Sequence, residues 1–272
     1  MSYLTEYLQP ALLGIVQGLT EFIPISSSGH LVVVRELFGW PDQGALFDAV
    51  LQLASVTALV VYFWSDLVQI FRGLNPKSKT HADTQARKLF GLVAISTVPI
   101  VAAALLFPTL FTETARGLLP VACMMIFVGL IFILVERLTR ERKSLAKLTF
   151  FDALLVGVAQ AAALLPGVSR SGSSIAAGLY LGLKREDTIR YAFLIGIPAL
   201  ALAGSYAIIQ MEFGATPIDW LVLGVSFAVA FFSSLAAIWF MMRWFKRHRL
   251  YLFAGYRILF GLGLIVWYIL RP

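Results

Sequence analysis

Six stretches of this chain, at roughly 45–64, 89–107, 118–136, 191–209, 220–242 and 252–270, are apolar for long enough to cross a bilayer as helices. Hydrocarbon offers no water to satisfy a free amide or carbonyl, and a helix satisfies its own. Composition agrees, since 59% of the residues are hydrophobic and only 14% charged. Soluble domains run about 45–50% apolar and about 25% charged. Disorder is excluded, because it needs few apolar residues. Cys123 is the sole cysteine, so a disulfide framework and a thiolate metal cluster are excluded too. The net charge of +7 does not indicate nucleic acid, because the basic residues fall in short runs between apolar blocks. The first ten residues contain no Lys or Arg, and no signal peptide is expected. The chain reads as an all-α polytopic membrane protein.

Two further apolar blocks, about 8–39 and 150–183, are interrupted in the middle. The first breaks at Pro24-Ile25-Ser26-Ser27-Ser28-Gly29, the second at Pro166-Gly167-Val168-Ser169-Arg170-Ser171-Gly172. Proline, glycine and clustered hydroxyls end helices. Segments 65–88, 137–149, 184–190 and 243–251 carry most of the Lys and Arg, whereas 40–44 and 210–219 carry none. The positive-inside rule puts the four basic segments in the cytoplasm and the others outside. Ser78 and Ser144 are then inside, and Thr112 and Thr216 outside. Block 150–183 must begin and end on the cytoplasmic side, so it is re-entrant. Block 8–39 is its counterpart, entering and leaving from outside.

An internal repeat supports this. At a fixed offset of 143, Gly14 matches Gly157, Gln17 matches Gln160, and Ser26, Ser28 and Gly29 match Ser169, Ser171 and Gly172. The expected architecture is six transmembrane helices plus two re-entrant broken helix pairs in an inverted-topology repeat. Its halves are 1–136 and 150–272, joined by a cytoplasmic linker, 137–149.

Hydroxyls and glycines ahead of a helix act as caps, and first-turn amides favour anions. Two such ends facing each other make a phosphate site. Arg170 lies within the second break, where an arginine is costly unless it has a function, and its planar fork suits phosphate. Gln17 and Glu21, one turn apart, precede the first break, and His30 follows it. Glu21 with the Gln17 carbonyl suits a hard divalent cation, and the hydroxyls offer a nucleophile. A structural Glu21–Arg170 ion pair and simple capping by the serines are the alternative readings.

The run Gln17-Gly18-Leu19-Thr20-Glu21-Phe22-Ile23-Pro24-Ile25-Ser26-Ser27-Ser28-Gly29-His30 resembles the first motif of the bacterial undecaprenyl-diphosphate phosphatases, the bacitracin-resistance family. Pro166-Gly167-Val168-Ser169-Arg170-Ser171 resembles its second motif, and the similarity covers nearly the whole chain. Phe47-Asp48-Ala49-Val50-Leu51-Gln52-Leu53 and Tyr256-Arg257 are also similar. Gln17 stands where many members have Glu, and Ser174 where Thr is usual.

The resemblance implies hydrolysis of undecaprenyl diphosphate to undecaprenyl phosphate and phosphate in the bacterial plasma membrane, with the site open to the outer side. Under it Ser27 is the nucleophile, Glu21 a base or metal ligand, His30 a proton carrier and Arg170 a phosphate clamp. Ser26, Ser28, Gly29, Gly167, Ser169, Ser171 and Ser174 bind phosphate or orient Arg170. Gln17 and Glu21 hold a divalent ion, Mg or Ca. Attack by a metal-bound water is the rival mechanism. The expected partners are a prenyl diphosphate lipid and membrane lipid, with no nucleic acid and homodimerisation left open. A lipid-phosphate flippase on the same repeat is the alternative function, and a non-catalytic scaffold the third.

Overall fold

A computed structural model describes residues 3–75, 80–107, 117–209 and 219–271. Eleven α-helices follow in chain order among them: α1 (Tyr3–Phe22), α2 (Ser27–Phe38), α3 (Ala45–Tyr62), α4 (Trp64–Gly73), α5 (His81–Leu106), α6 (Leu118–Leu138), α7 (Phe150–Ala161), α8 (Arg170–Tyr180), α9 (Arg185–Ile209), α10 (Trp220–Trp244) and α11 (Tyr251–Leu270). Five of them, α5, α6, α9, α10 and α11, are long and apolar enough to cross a membrane, and the bent pair α3–α4 makes a sixth. The chain is an all-α polytopic membrane protein. Leu106, Leu134, Leu259 and Ile269 point their side chains outward from these helices, as lipid-facing residues do.

Segment 65–88 is more ordered than its charge suggests. After a 73° bend, α4 continues the chain as a separate helix. Thr80 then caps α5 by accepting the Asp83 amide, so helix begins well before the apolar residues do. Charged residues extend a helix out of hydrocarbon, and an apolar-run criterion does not see them. Ser78, Thr112 and Thr216 lie outside the described residues.

Each broken block forms a helical hairpin, α1–α2 and α7–α8. Helix α1 lies along α10, and α7 lies along α5. If α1, α2, α3, α5 and α6 are matched in order to α7, α8, α9, α10 and α11, these two pairs are one contact with the halves exchanged. Pairs α3·α9 and α6·α11 map onto themselves. Two interlocked halves give this pattern. The repeated glycines explain the close approach: a Cβ on Gly14 would stand 2.9 Å from the Ser226 carbonyl, and one on Gly157 2.5 Å from the Ser96 carbonyl. Small residues let membrane helices touch backbone to backbone.

Candidate active site

The two breaks are built alike. Ser26 (φ 75°) and Ser169 (φ 78°) are the only non-glycine residues with positive φ among the described residues, and they are 143 positions apart. Each caps the helix after it: Ser26 Oγ accepts the Gly29 amide at 3.4 Å, and Ser169 Oγ accepts the Gly172 amide at 3.2 Å. Each cap also pairs with the serine two places on, Ser28 or Ser171, at 3.3 Å. A left-handed serine costs about 1–3 kcal/mol, a strain that clusters at functional sites. The turns meet face to face, because a Cβ on Gly29 would come 3.7 Å from the Gly167 Cα and one on Gly172 3.3 Å from the Pro24 Cβ. The first turns of α2 and α8 therefore converge, each bringing the positive end of its dipole.

Arg257 of α11 holds the breaks in register. It is fully buried, and its guanidinium donates to the Pro24 carbonyl at 3.2 Å and the Gly167 carbonyl at 2.5 Å. Pro24 and Gly167 are themselves repeat equivalents. Broken helices leave carbonyls without amide partners, and one arginine satisfies those of both halves. Each orphaned carbonyl costs about 1–3 kcal/mol. Arg257→Met is therefore expected to lower the thermal unfolding temperature in detergent strongly. Arg243→Met, which removes an exposed cation stacked on Trp239, is expected to leave it nearly unchanged.

Glu21 is the hub of the site. Its Oε2 accepts the Ser27 hydroxyl at 2.6 Å and the Gln17 amide nitrogen at 3.2 Å. Its Oε1 accepts Arg170 Nη2 at 3.1 Å and Nε at 3.3 Å. Ser171 Oγ donates to the Glu21 carbonyl at 3.0 Å. Ser27 and Arg170 are equivalents across the repeat, so the one carboxylate draws a hydroxyl from one half and a guanidinium from the other. Arg170 Nη1 is buried with no hydrogen-bond partner. A cleft of about 160 Å³ opens beside these groups, lined by Glu21, Ser26, Ser27, Ser28, Ser169 and Arg170, together with Gln52 of α3, Ile100 of α5 and Ala199 and Ala203 of α9. Ala199 lies about 21 Å along α9 from Arg185 at the helical rise. Gln52 lies just short of the middle of α3 and Ile100 near the end of α5. All three spans put the cleft in the half of the bundle away from the basic segments.

Gly196 keeps the Arg170 guanidinium in place. A Cβ there would stand 2.0 Å from Nη1 and 2.8 Å from Cζ. The arginine tip is flexible, so Gly196→Ala displaces it without unfolding α9. Misplacing a catalytic group by about 1 Å costs about a hundredfold in rate. Gly196→Ala is expected to lose about that much turnover at an unchanged unfolding temperature.

The residues singled out in the sequence divide into three groups. Glu21, Ser26, Ser27, Ser28, Ser169 and Arg170 reach the cleft. Gln17 and Ser171 touch Glu21 from behind, while Gly29 and Gly167 pack where the breaks meet. Ser174 is buried one turn deeper, its hydroxyl without a partner.

His30 differs from expectation. It does not line the cleft; its Nδ1 lies 2.7 Å from the Ser26 carbonyl and its Nε2 2.6 Å from the Tyr256 hydroxyl, with the ring stacked on Phe260. A carbonyl only accepts, so Nδ1 carries the hydrogen and Nε2 accepts from tyrosine. The ring holds the strained cap.

Sequence reasoning assigns no role to Gln52, Arg257 or Gly196. For the first two the signal is a polar residue inside an otherwise apolar span, in runs that already resemble the family, and Gly196 offers none.

For a metal, the oxygen donors near the cleft are the Glu21 carboxylate and the amide carbonyls of Gln17 and Gln52. Among the described residues no three His, Cys, Asp or Glu side chains gather. A hard cation there would share the Glu21 oxygens with Ser27, Gln17 and Arg170 and would take most of its shell from water and phosphate oxygens.

Residues 10–263 match the family described as bacitracin resistance protein BacA. The chain is 40% identical over 263 residues to a protein named undecaprenyl-diphosphatase from Myxococcus xanthus (strain DK1622), covering 95% of this chain and 88% of the relative. Its identity to the protein of that name from Mycobacterium ulcerans (strain Agy99) is 42% over 264 residues, covering 93% and 94%. With the Teredinibacter turnerae (strain ATCC 39867 / T7901) protein it is 35% over 262 residues, covering 96% and 99%. With a family match over nearly all of its length and relatives at this identity, the chain belongs to the bacitracin resistance protein BacA family.

Proposed function

We propose that this protein is a membrane phosphatase that hydrolyses undecaprenyl diphosphate to undecaprenyl phosphate and inorganic phosphate, with Ser27 as the nucleophile. The observation that carries this reading is the contact of Ser27 Oγ with Glu21 Oε2 at 2.6 Å, beside a buried guanidinium nitrogen with nothing to bind. A hydroxyl becomes a competent nucleophile when a base accepts its proton. Ser27 Oγ attacks the terminal phosphorus, its proton passes to Glu21, and the bond from that phosphorus to the bridging oxygen breaks. Undecaprenyl phosphate leaves on the bridging oxygen, which takes the proton from Glu21 and returns that residue to the carboxylate form. Water, deprotonated by Glu21, then cleaves the phosphoserine, restoring Ser27 and releasing phosphate. Arg170 Nη1 and the first-turn amides of α2 and α8 receive the charge that builds on the phosphoryl oxygens.

Glu21, Gln17 and Gln52 are the residues that would hold a divalent ion, Mg or Ca. Bound there, the ion would neutralise diphosphate charge. His30 acts here as the support of Ser26 and not as the proton carrier.

The cleft faces the outer side of the bacterial plasma membrane in this account, because it lies away from the Lys- and Arg-rich segments. Single cysteines at 43 and 144, in a Cys123→Ser background, test this with an impermeant thiol reagent on intact cells. Labelling at 43 alone is expected, and labelling at 144 alone would reverse the orientation.

The function itself is tested by supplying undecaprenyl diphosphate to the purified protein and measuring free phosphate. Release of one phosphate per lipid is expected. A protein that releases none at any divalent concentration, yet moves labelled lipid phosphate across vesicles, is a transporter.

A further inference from the structure

At the opposite end of α8 from Arg170, a second cleft of about 640 Å³ lies between segment 139–147 and the helix end. Arg140, Arg142, Lys143 and Lys147 line it, and no acidic residue does. Lys143 is neutralised by Asp152 at 2.7 Å. Among the described residues Arg140, Arg142 and Lys147 form no ion pair, and the neighbouring Glu141 is taken by Arg185 at 2.9 Å. Three uncompensated cations thus share one concavity.

The backbone at Arg142 and Lys143 is tied to the end of α8. The amides of Arg142 and Lys143 donate to the Gly182 carbonyl at 3.0 and 2.9 Å, and the Lys184 amide donates to the Lys143 carbonyl at 3.0 Å. Gly182 makes this turn with φ 81°, a region that other side chains rarely adopt. The turn keeps the segment against the end of α8, while the exposed side chains of Arg140, Arg142 and Lys147 stay free to reach an anion. The rim is apolar: Leu138 ends α6 with 53% of its surface exposed, and Tyr180 ends α8 with 65% exposed.

Cations beside exposed apolar groups at the ends of membrane helices match a ligand with a phosphate and an attached acyl chain. We infer that this cleft binds the headgroup of an anionic phospholipid, with the phosphate on Arg140, Arg142 and Lys147 and the chains along Leu138 and Tyr180. The site is separate from the catalytic cleft, about 16 Å away along α8 by helical rise.

Hydrogen exchange read peptide by peptide tests this on the full-length protein in nanodiscs of phosphatidylcholine, with and without phosphatidylglycerol. Phosphatidylglycerol is expected to slow exchange in 139–147 and 181–184 by about fivefold or more, because a bound ligand opposes local opening. The triple variant Arg140→Gln, Arg142→Gln, Lys147→Gln should lose that protection while releasing phosphate from undecaprenyl diphosphate at the normal rate, which shows that it is folded. Protection that persists in the triple variant would overturn the assignment, leaving only diffuse attraction to a charged surface. Equal protection by millimolar inorganic phosphate in phosphatidylcholine discs would also overturn it, making the cleft a site for soluble phosphate.

Discussion

Replacing Ser27 by alanine is expected to stop phosphate release, by about a thousandfold or more, in a protein that still folds. The hydroxyl removed makes one of four hydrogen bonds to the Glu21 carboxylate, and Arg170 and Gln17 remain in place to satisfy that buried charge. The stability lost is that of one hydrogen bond to a charged group, about 1.5–3 kcal/mol. Ser26, and not Ser27, caps α2, so the helix start is untouched. Glu21→Gln keeps the shape and loses the base, which is worth about 10²–10⁴ in rate. It also removes the carboxylate that would hold a divalent ion, so the dependence of turnover on ion concentration should flatten. Phosphate release against divalent concentration, with thermal unfolding in detergent as the control, checks both variants. A folded Ser27→Ala protein with substantial turnover would point to direct attack by water.

Arg170→Lys is expected to be nearly as inactive as Arg170→Ala, although only the alanine variant should be badly destabilised. The guanidinium is assigned two tasks at once: Nε and Nη2 grip Glu21, and the buried Nη1, which has no partner in the protein, is the nitrogen proposed to bind phosphate. An ammonium is a single point charge and cannot bridge both. Alanine leaves Glu21 buried without its cation, which costs about 3–5 kcal/mol. Lysine retains that charge, so its unfolding temperature should stay close to that of the unaltered protein while turnover falls. Turnover in Arg170→Lys above about a third of normal would mean that Arg170 serves only to pair Glu21, the structural alternative raised by its burial.

Much of this site is legible in the sequence because its parts are residue types that seldom occur at membrane depth. Pro24, Pro166 and the serine–glycine clusters mark the breaks, and Glu21 and Arg170 mark the chemistry, each by its rarity in an apolar block. The breaks place the following helices at about 29–39 and 172–183, and α2 and α8 begin two residues earlier, running Ser27–Phe38 and Arg170–Tyr180. Only contacts across the fold reveal the rest. Arg257 reads as one basic residue in an apolar block, and its meaning comes from carbonyls more than eighty positions away in sequence. Gly196 is silent because its role is the absence of a side chain beside Arg170. For His30, closeness in sequence to Ser27 suggests shared chemistry, and it is the fold that shows its ring between the Ser26 carbonyl and the Tyr256 hydroxyl. The strained φ at Ser26 and Ser169 is likewise a backbone property that the residue type hides.

Attack by a Glu21-activated serine on the terminal phosphorus leaves a covalent phosphoserine that can be trapped. Substrate labelled with ³²P on the terminal phosphate is mixed with the protein and quenched in acid within a single turnover, and the protein is digested. A phosphoserine ester survives acid, so the label is expected on the peptide containing Ser27, absent from Ser27→Ala, and lost from the unaltered protein as free phosphate appears. Full turnover with no label on the protein at any quench time would rule out the serine nucleophile and assign the attack to water.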